Sequence, residues 1–355
     1  MYNPSAGRAT GYAPDQMELD PPTNAEESDA VEVDDIDSLA DSTMDFDDRI
    51  SSYTKSMTES VKNHKKEYGR RYHAYREGSY NFPNDEGEIK RLDLMHTLIS
   101  KTIGWRWFLA PVNHKNMHRI LDVGTGTGTC MYHNKSWHYG HVKELYVIGN
   151  DLSPIQPEWV PQNCKFEIDD VESAWYMDAP FDFIHVRYMA CSLRDWPTFV
   201  GRVYDNLEPN GWAEFSDMSV LYACDDGTLT EEHALMRWDR LFMQACDILG
   251  REHSPGPKLE GWIRQAPFTN VKCHHFKIPL GPWPKDLHMK DLGWCNLIQT
   301  LEGLDAFTLK LFRSVLGWTE EAVQELLDEV RQELEKKTYH AYLNYYVVYG
   351  QKPSY

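Results

Sequence analysis

Apolar positions along the chain change their spacing in a way that marks out its elements. Residues 51–68 carry Met57, Val61 and His64 along one face, and residues 88–103 repeat Ile89, Leu92, Met95, Ile99 and Ile103 every three or four positions, so both stretches predict helices. From His118 the pattern turns to short apolar runs ending in turn formers. The runs 119–124, 144–151, 164–170 and 180–186 predict buried strands, with helices over 127–139 and 197–207 between them. The turn 208–211 then leads into a strand at 212–217. Strands alternating with helices imply βαβ units and a parallel sheet covered on both faces.

The C-terminal part predicts helices near 230–250 and 259–266, a strand in 268–284, and mostly helix over 286–337. The last helix has Thr319 as N-cap and Glu320 and Glu321 in its first turn. It aligns Val323, Leu326, Leu327, Val330 and Leu334 and ends in Lys336 and Lys337. A strand at 342–353 closes the chain. About fifty helical residues are thus expected between the last two strands, near the carboxyl ends of the sheet where ligands bind. Trp283, Trp294, Trp318, Phe307 and Phe312 in this region read first as core, with an acceptor pocket or partner face as the alternative.

Charge changes the picture at one end only. Residues 1–48 hold fourteen acids against the single Arg8, while the rest carries 41 acids against 35 bases. This N-terminal stretch has no sustained period and little to bury, so it is expected to be a disordered acidic tail. The remainder is too close to neutral for a dedicated DNA-binding surface, so no direct nucleic-acid contact is expected. Seven cysteines stand singly, with no Cys-x-x-Cys, which fits a reducing intracellular compartment. No apolar run reaches membrane-spanning length. His114, His118, His133, His138 and His141 cluster without a metal-ligand motif, so no metal site is expected.

The chemistry concentrates at Leu121-Asp122-Val123-Gly124-Thr125-Gly126-Thr127-Gly128. Glycines between a strand and a helix let the backbone pass close to a ligand. Thr129 stands where a dinucleotide fingerprint wants Gly or Ala, and the Asp122 carboxylate would repel a pyrophosphate, so both residues count against NAD. A cationic sulfonium ligand suits that carboxylate better. Asp151 ends the second strand, where it can accept from both ribose hydroxyls, with Leu152 following it. Asp170 ends the third, where an adenine amino group would lie, with the Val171 N–H facing a ring nitrogen. Either Asp alone could be a turn former or cap. Three acids at three successive strand ends match an adenosine ligand.

The loop and these acids resemble class I S-adenosylmethionine-dependent methyltransferases. The blocks YGRRYHAYREGSYNFPNDEGEIKRLDLMH (68–96), ILDVGTGTG (120–128), DLSPIQPEWVPQNCKFEIDDVE (151–172) and FDFIHVRYMACSLRDW (181–196) are similar to the fungal LaeA-like methyltransferases. The resemblance covers residues 50–355. It implies an α/β class I Rossmann-like fold with a mostly parallel seven-stranded sheet, helices on both faces and a helical insertion before the last strand. The domains expected are a tail over 1–50 and a methyltransferase domain over 51–355. That domain would comprise an N-terminal helical cover (51–117), a Rossmann core (118–284 and 338–355) and the insertion (285–337). S-adenosyl-L-methionine would be the cofactor and S-adenosyl-L-homocysteine the product.

The cofactor residues implied are Asp122, Gly124, Thr125, Gly126, Gly128, Asp151, Leu152, Asp170, Val171 and, from the aromatic and basic segment 68–88, Tyr72. That segment would fold over the cofactor and hold its methionine carboxylate. After strand four, His185 is the candidate base and Arg187 the candidate to orient the acceptor, against the alternative of a buried His and an ion-paired Arg. No Asn/Asp-Pro-Pro-Tyr block follows that strand, which argues against methylation of base or glutamine amino groups. The resemblance further implies regulation of fungal secondary metabolism and development, in the nucleus or shuttling to it. Velvet-type regulators or a related methyltransferase-like subunit are the implied partners, and the acceptor is a protein or a metabolite. A cofactor-binding subunit that acts through protein contacts with little turnover is the alternative.

Overall fold

A computed structural model describes residues 64–76, 78–113, 117–132, 145–157 and 160–354. The acidic tail, the first expected helix up to residue 63 and the helix expected beyond Tyr132 lie outside them. The sheet is built from β3 (Arg119–Val123), β4 (Tyr146–Asp151), β5 (Cys164–Ile168), β6 (Phe181–Arg187), β7 (Leu207–Met218), β9 (Thr269–Pro279) and β10 (Ala341–Gln351). A two-residue strand, β8 (Ala223–Cys224), adds an eighth by pairing with the start of β10. The order is β5-β4-β3-β6-β7-β10, with β9 on β10. Strands β3 to β7 run parallel and β10 lies antiparallel between β7 and β9.

Ile120, Leu121, Phe183, Ile184, Ala213 and Phe215 are fully buried. Strands covered on both faces need such continuous apolar runs, in contrast to the alternation of a half-exposed sheet. The strand order reverses at β3, between β4 and β6, and opens a crevice at the carboxyl ends of these strands.

Two expectations about local structure are corrected. Residues 64–68 were expected to end a helix, but Lys65–Glu67 (β1) pairs with Arg70–Tyr72 (β2) as a hairpin. Tyr68 at φ 51° and Gly69 at φ 76° make the two-residue turn, whose positive φ matches the twist of paired strands. The cover before β3 is therefore a hairpin followed by a helix, α1 (Glu86–Thr102). The turn expected at 208–211 is absorbed into β7 as an irregularity. The register with β6 shifts between Phe181 and Phe183, and Asn210 takes φ 66°.

The helices are α1, α2 (Thr129–Tyr132), α3 (Trp196–Asp205), α4 (Ala234–Ile248), α5 (Gly256–Gln265), α6 (Leu287–Lys310) and α7 (Glu320–Lys336). A π-helical turn, Leu311–Val315, prolongs α6. Helix α7 forms as its pattern predicts. The Thr319 hydroxyl accepts from the Ala322 N–H, all five apolar positions are buried, and Lys337 ends the helix in the left-handed region. Helix α1 departs from its pattern, because its buried face includes the ion pair Glu88–Arg91 beside Met95, Leu98 and Ile99.

One apolar cluster joins these residues of α1 to Leu235, Trp238 and Phe242 of α4, Leu297 and Leu304 of α6, and the apolar stripe of α7. The insertion thus packs on the cover and on α4. Its seat is close: a Cβ on Gly293 of α6 would lie 2.0 Å from the Gly281 carbonyl oxygen, and the Gly281 N–H donates to the Gly293 carbonyl at 3.0 Å. Gly293→Ala should lower stability by about 1–3 kcal/mol in urea titration, through forced separation of α6 from the end of β9. Unchanged stability would show that this contact does not seat the insertion.

Candidate functional site

The crevice at the switch point is a cavity of about 1170 Å3, counting the solvent at its mouth. Its floor comes from the ends of β3, β4 and β5, its side from the segment after β6, and its lid from Ser79 to Ile99 of the cover. Asp122, Gly124, Thr125, Gly126, Asp151, Leu152, Asp170, Val171 and Arg187 all line it. The fold thus brings nine of the twelve candidate residues to one place.

The glycine loop is held from several sides. Gly124 and Gly126 have φ of +64° and +58°, which a side chain resists. A Cβ on Gly124 would also come within 2.4 Å of the Met189 sulfur. The Thr125 hydroxyl donates to Asp122 at 2.7 Å, the Gly126 N–H to Asp151 at 2.9 Å, and Gln156 to the Gly126 carbonyl at 2.7 Å. Gly128 also has positive φ (+77°) but is not a lining residue, so its part is to shape the turn.

Beneath the loop, strand register places Asp122, His185 and Glu214 side by side on β3, β6 and β7. All three are buried. His185 Nδ1 lies 2.8 Å from an Asp122 oxygen, while its Nε2 finds no partner among the described residues. Glu214 accepts from the N–H groups of Leu109 and Ala110 at 2.6 and 2.7 Å. Burial opposes the charge of Asp122, but the His185 and Thr125 hydrogen bonds and the charges of His185 and Arg187 outweigh it and hold the carboxyl below its usual range. Asp122 is therefore an anion facing the cavity. Glu214 goes the other way: burial raises it, only partly offset by His185.

A methyltransferase domain family matches residues 94–272. The chain is 42% identical over 299 residues to methyltransferase pytC of Aspergillus terreus, covering 84% of this chain and 91% of the relative. It is 33% identical over 297 residues to secondary metabolism regulator LAE1 of Cochliobolus heterostrophus (81% and 94% covered). It is 32% identical over 293 residues to secondary metabolism regulator laeA of Aspergillus fumigatus (81% and 76%). The chain belongs to the LaeA-like methyltransferases. It is an S-adenosylmethionine-dependent enzyme of the class I fold.

The residues of this methyltransferase fit its cofactor. The anion of Asp122 suits a sulfonium and an ammonium, and the glycine loop leaves backbone where side chains would intrude. Asp151 has one oxygen on the Gly126 N–H and the other on the Ser153 N–H at 2.8 Å, and each retains a lone pair for a hydroxyl. Burial pushes its carboxyl up to about 6, against those backbone bonds. Asp170 accepts from the Glu172 N–H at 2.9 Å and from Arg76 Nη1 at 2.5 Å. Segment 68–88 does therefore fold over the site, through Arg76, which also donates to Ser173. Its charged contact is with Asp170, and Ser79, Tyr80, Pro83 and Asn84 line the wall.

Two expected roles are corrected. Tyr72 does not line the cavity: its ring is buried and lies under the Lys310 ammonium at 4.5 Å, and Tyr80 takes the place at the wall. His185 does not line the cavity either, since its ring is buried below the loop with Nδ1 on Asp122. Arg187 does face the cavity, donating to His96 at 2.8 Å and to the Cys130 sulfur. Sequence reasoning missed Tyr188 as a wall residue, although it adjoins Arg187. Tyr188 and Cys191 take φ of 61° and 62°, a strained path that only the surroundings can hold. Asp217 supplies part of that hold by accepting from the Met189 N–H at 2.7 Å.

The raised Asp151 carboxyl sets a pH dependence. Hydroxyl donors favour the anion, so affinity is full above the free-protein value and falls as protonation removes an acceptor. S-adenosylhomocysteine affinity, measured by calorimetry, should be level above about pH 7 and decline as pH falls through about 6. Asp151→Asn should weaken binding and flatten this decline. Affinity that rises toward acid pH would contradict the assignment.

Proposed function

We propose that this methyltransferase acts in fungal secondary metabolism, with the cofactor held along the carboxyl ends of β3, β4 and β5 and the acceptor beyond Tyr188. The observation that carries this reading is the convergence of Asp122, Asp151 and Asp170 from three strands on one cavity. In the proposed roles, Asp151 takes the ribose hydroxyls, and Asp170 with the Val171 N–H takes the adenine edge. Asp122, Gly124, Thr125 and Gly126 surround the methionine end. Arg187, cationic on the cavity wall, pairs with the methionine carboxylate.

S-adenosylmethionine supplies a methyl group on a sulfonium already activated for in-line displacement. The chain's own task is alignment and exclusion of water, for which Tyr80 and Tyr188 stand at the wall. His185 is a positioning residue: its Nδ1 hydrogen bond fixes the Asp122 carboxylate and keeps it ionised. The similarity to LAE1 and laeA supports a regulatory place in secondary metabolism, nuclear or cytoplasmic, with a velvet-type regulator or a related methyltransferase-like subunit as partner. Residues 51–355 act as the methyltransferase domain, with 285–337 as its acceptor-side cover.

Transfer of labelled methyl from S-adenosylmethionine to a fungal extract should be lost in Gly126→Arg, which fills the cofactor cavity. Equal labelling would place the activity elsewhere. Absence of labelling by a wild type that binds S-adenosylhomocysteine would favour a cofactor-binding regulatory subunit. His185→Leu removes the Asp122 bond, which should weaken S-adenosylhomocysteine by about 1–3 kcal/mol, measured by calorimetry. A base would instead lower kcat with that affinity intact.

A further inference from the structure

A second cavity adjoins the first, about 700 Å3 with the solvent at its mouth, and Tyr80, Met95 and Tyr188 line both. Seven aromatic residues stand in its wall, among them Phe82, Tyr222, Trp238, Phe242 and Phe307. Trp238 and Phe242 stack at 5.7 Å between centroids, and Phe307 meets Phe242 edge-on at 6.2 Å. Helix α4 and the insertion supply these rings, so this cavity lies where the two meet.

Most polar groups in the wall are already satisfied. Arg91 is paired to Glu88 at 2.6 and 2.9 Å and donates to the Gln299 oxygen at 3.2 Å. The Gln299 amide donates to Asn296 at 2.8 Å, and Thr300 bonds the Tyr222 hydroxyl at 3.1 Å. Asp239 differs. It is 1% exposed, one oxygen accepts from the Tyr222 N–H at 2.9 Å, and Oδ1 has no partner among the described residues. A buried carboxyl with one unused oxygen is costly, and in a cavity wall a bound group can complete it.

We propose that this cavity is the methyl-acceptor pocket, and that it takes an uncharged, planar, mostly apolar small molecule whose carbonyl or amide bonds to Asp239 Oδ1. The proposal rests on the methyltransferase reading of the adjoining site. Burial pushes the Asp239 carboxyl well above its usual range, against the Tyr222 N–H bond and the charge of Arg240, which favours an uncharged hydrogen-bonding partner at Oδ1. A cationic acceptor such as a lysine side chain is disfavoured. The Arg91 guanidinium already lies 4.7 Å from the Phe307 ring and 5.8 Å from that of Tyr188, using the faces that would attract a second cation and repelling it. In the transfer, a lone pair on an acceptor oxygen or nitrogen bonds the methyl carbon. The carbon–sulfur bond breaks with its pair left on sulfur, and the acceptor's proton passes to water.

The test uses the full-length protein loaded with S-adenosylhomocysteine, titrated with 2-naphthamide and, separately, with 2-naphthylmethylammonium. Expected is saturable binding of the amide, with the ammonium at least about tenfold weaker. Asp239→Val should weaken the amide about tenfold or more, the loss of one buried hydrogen bond, whereas Asp239→Asn keeps a donor and should stay within about threefold. Val220→Trp puts a large ring into the cavity while leaving Asp239 itself unsubstituted, and should abolish amide binding. S-adenosylhomocysteine affinity should be unchanged in all three variants, which also reports that they fold.

Failure of the amide to saturate a wild type that binds S-adenosylhomocysteine would overturn the pocket and leave the cofactor reading intact. So would equal amide affinity in wild type and Asp239→Val, or tighter binding of the ammonium. Failure of S-adenosylhomocysteine itself to bind would overturn both.

Discussion

An anionic carboxylate buried at the floor of a cavity is costly unless neighbours hold its charge, and the cofactor site of this methyltransferase depends on one. Asp122 sits in a row with His185 and Glu214 on three adjacent strands, so register alone brings the three together. His185 and Thr125 bond the two Asp122 oxygens, and Thr125 thereby fixes the turn of the glycine loop. At the other end of the row Glu214 ties down the backbone at Leu109 and Ala110. One line of side chains thus joins the loop before the first core strand, the sheet and the cofactor loop.

The insertion gives the second half of the site its shape. Helix α6 is seated on the end of β9 by Gly293 and carries Gln299, Thr300 and Phe307 to the wall of the second cavity, opposite Trp238 and Phe242 of α4. Helix α1 contributes Arg91 from below, with its charge balanced by Glu88 one turn away. The segment after β6 separates the two cavities and follows a strained backbone at Tyr188 and Cys191, held partly by Asp217. Strain of this kind is kept where surroundings over-determine the geometry, and here it places one tyrosine between two spaces.

What was legible in the sequence was local. A strand, its glycine turn and the acids at three strand ends lie within short stretches, so their spacing carried both the sheet and the residues that line its crevice. What was hidden depends on distant contacts. Asp239 reads as one more acid of an amphipathic helix, and only its packing against Tyr222 and the insertion buries it. Arg91 and Glu88 interrupt an apolar face that periodicity assigns to Met95 and Ile99. His185 looked like a base from its place near a strand end, but register sets it opposite Asp122. Tyr72 belongs to an aromatic segment of which Tyr80 lines the crevice, but its own strand lies off the wall and its ring packs under Lys310.

The most direct test is a crystal structure with S-adenosylhomocysteine. The account predicts ribose hydroxyls on Asp151, the adenine amino group on Asp170 with Arg76 moved or shared, the amino acid end over Asp122, and the Asp122–His185 bond intact. Ligand density away from this cavity, or a ligand in it that touches neither Asp151 nor Asp122, would contradict it.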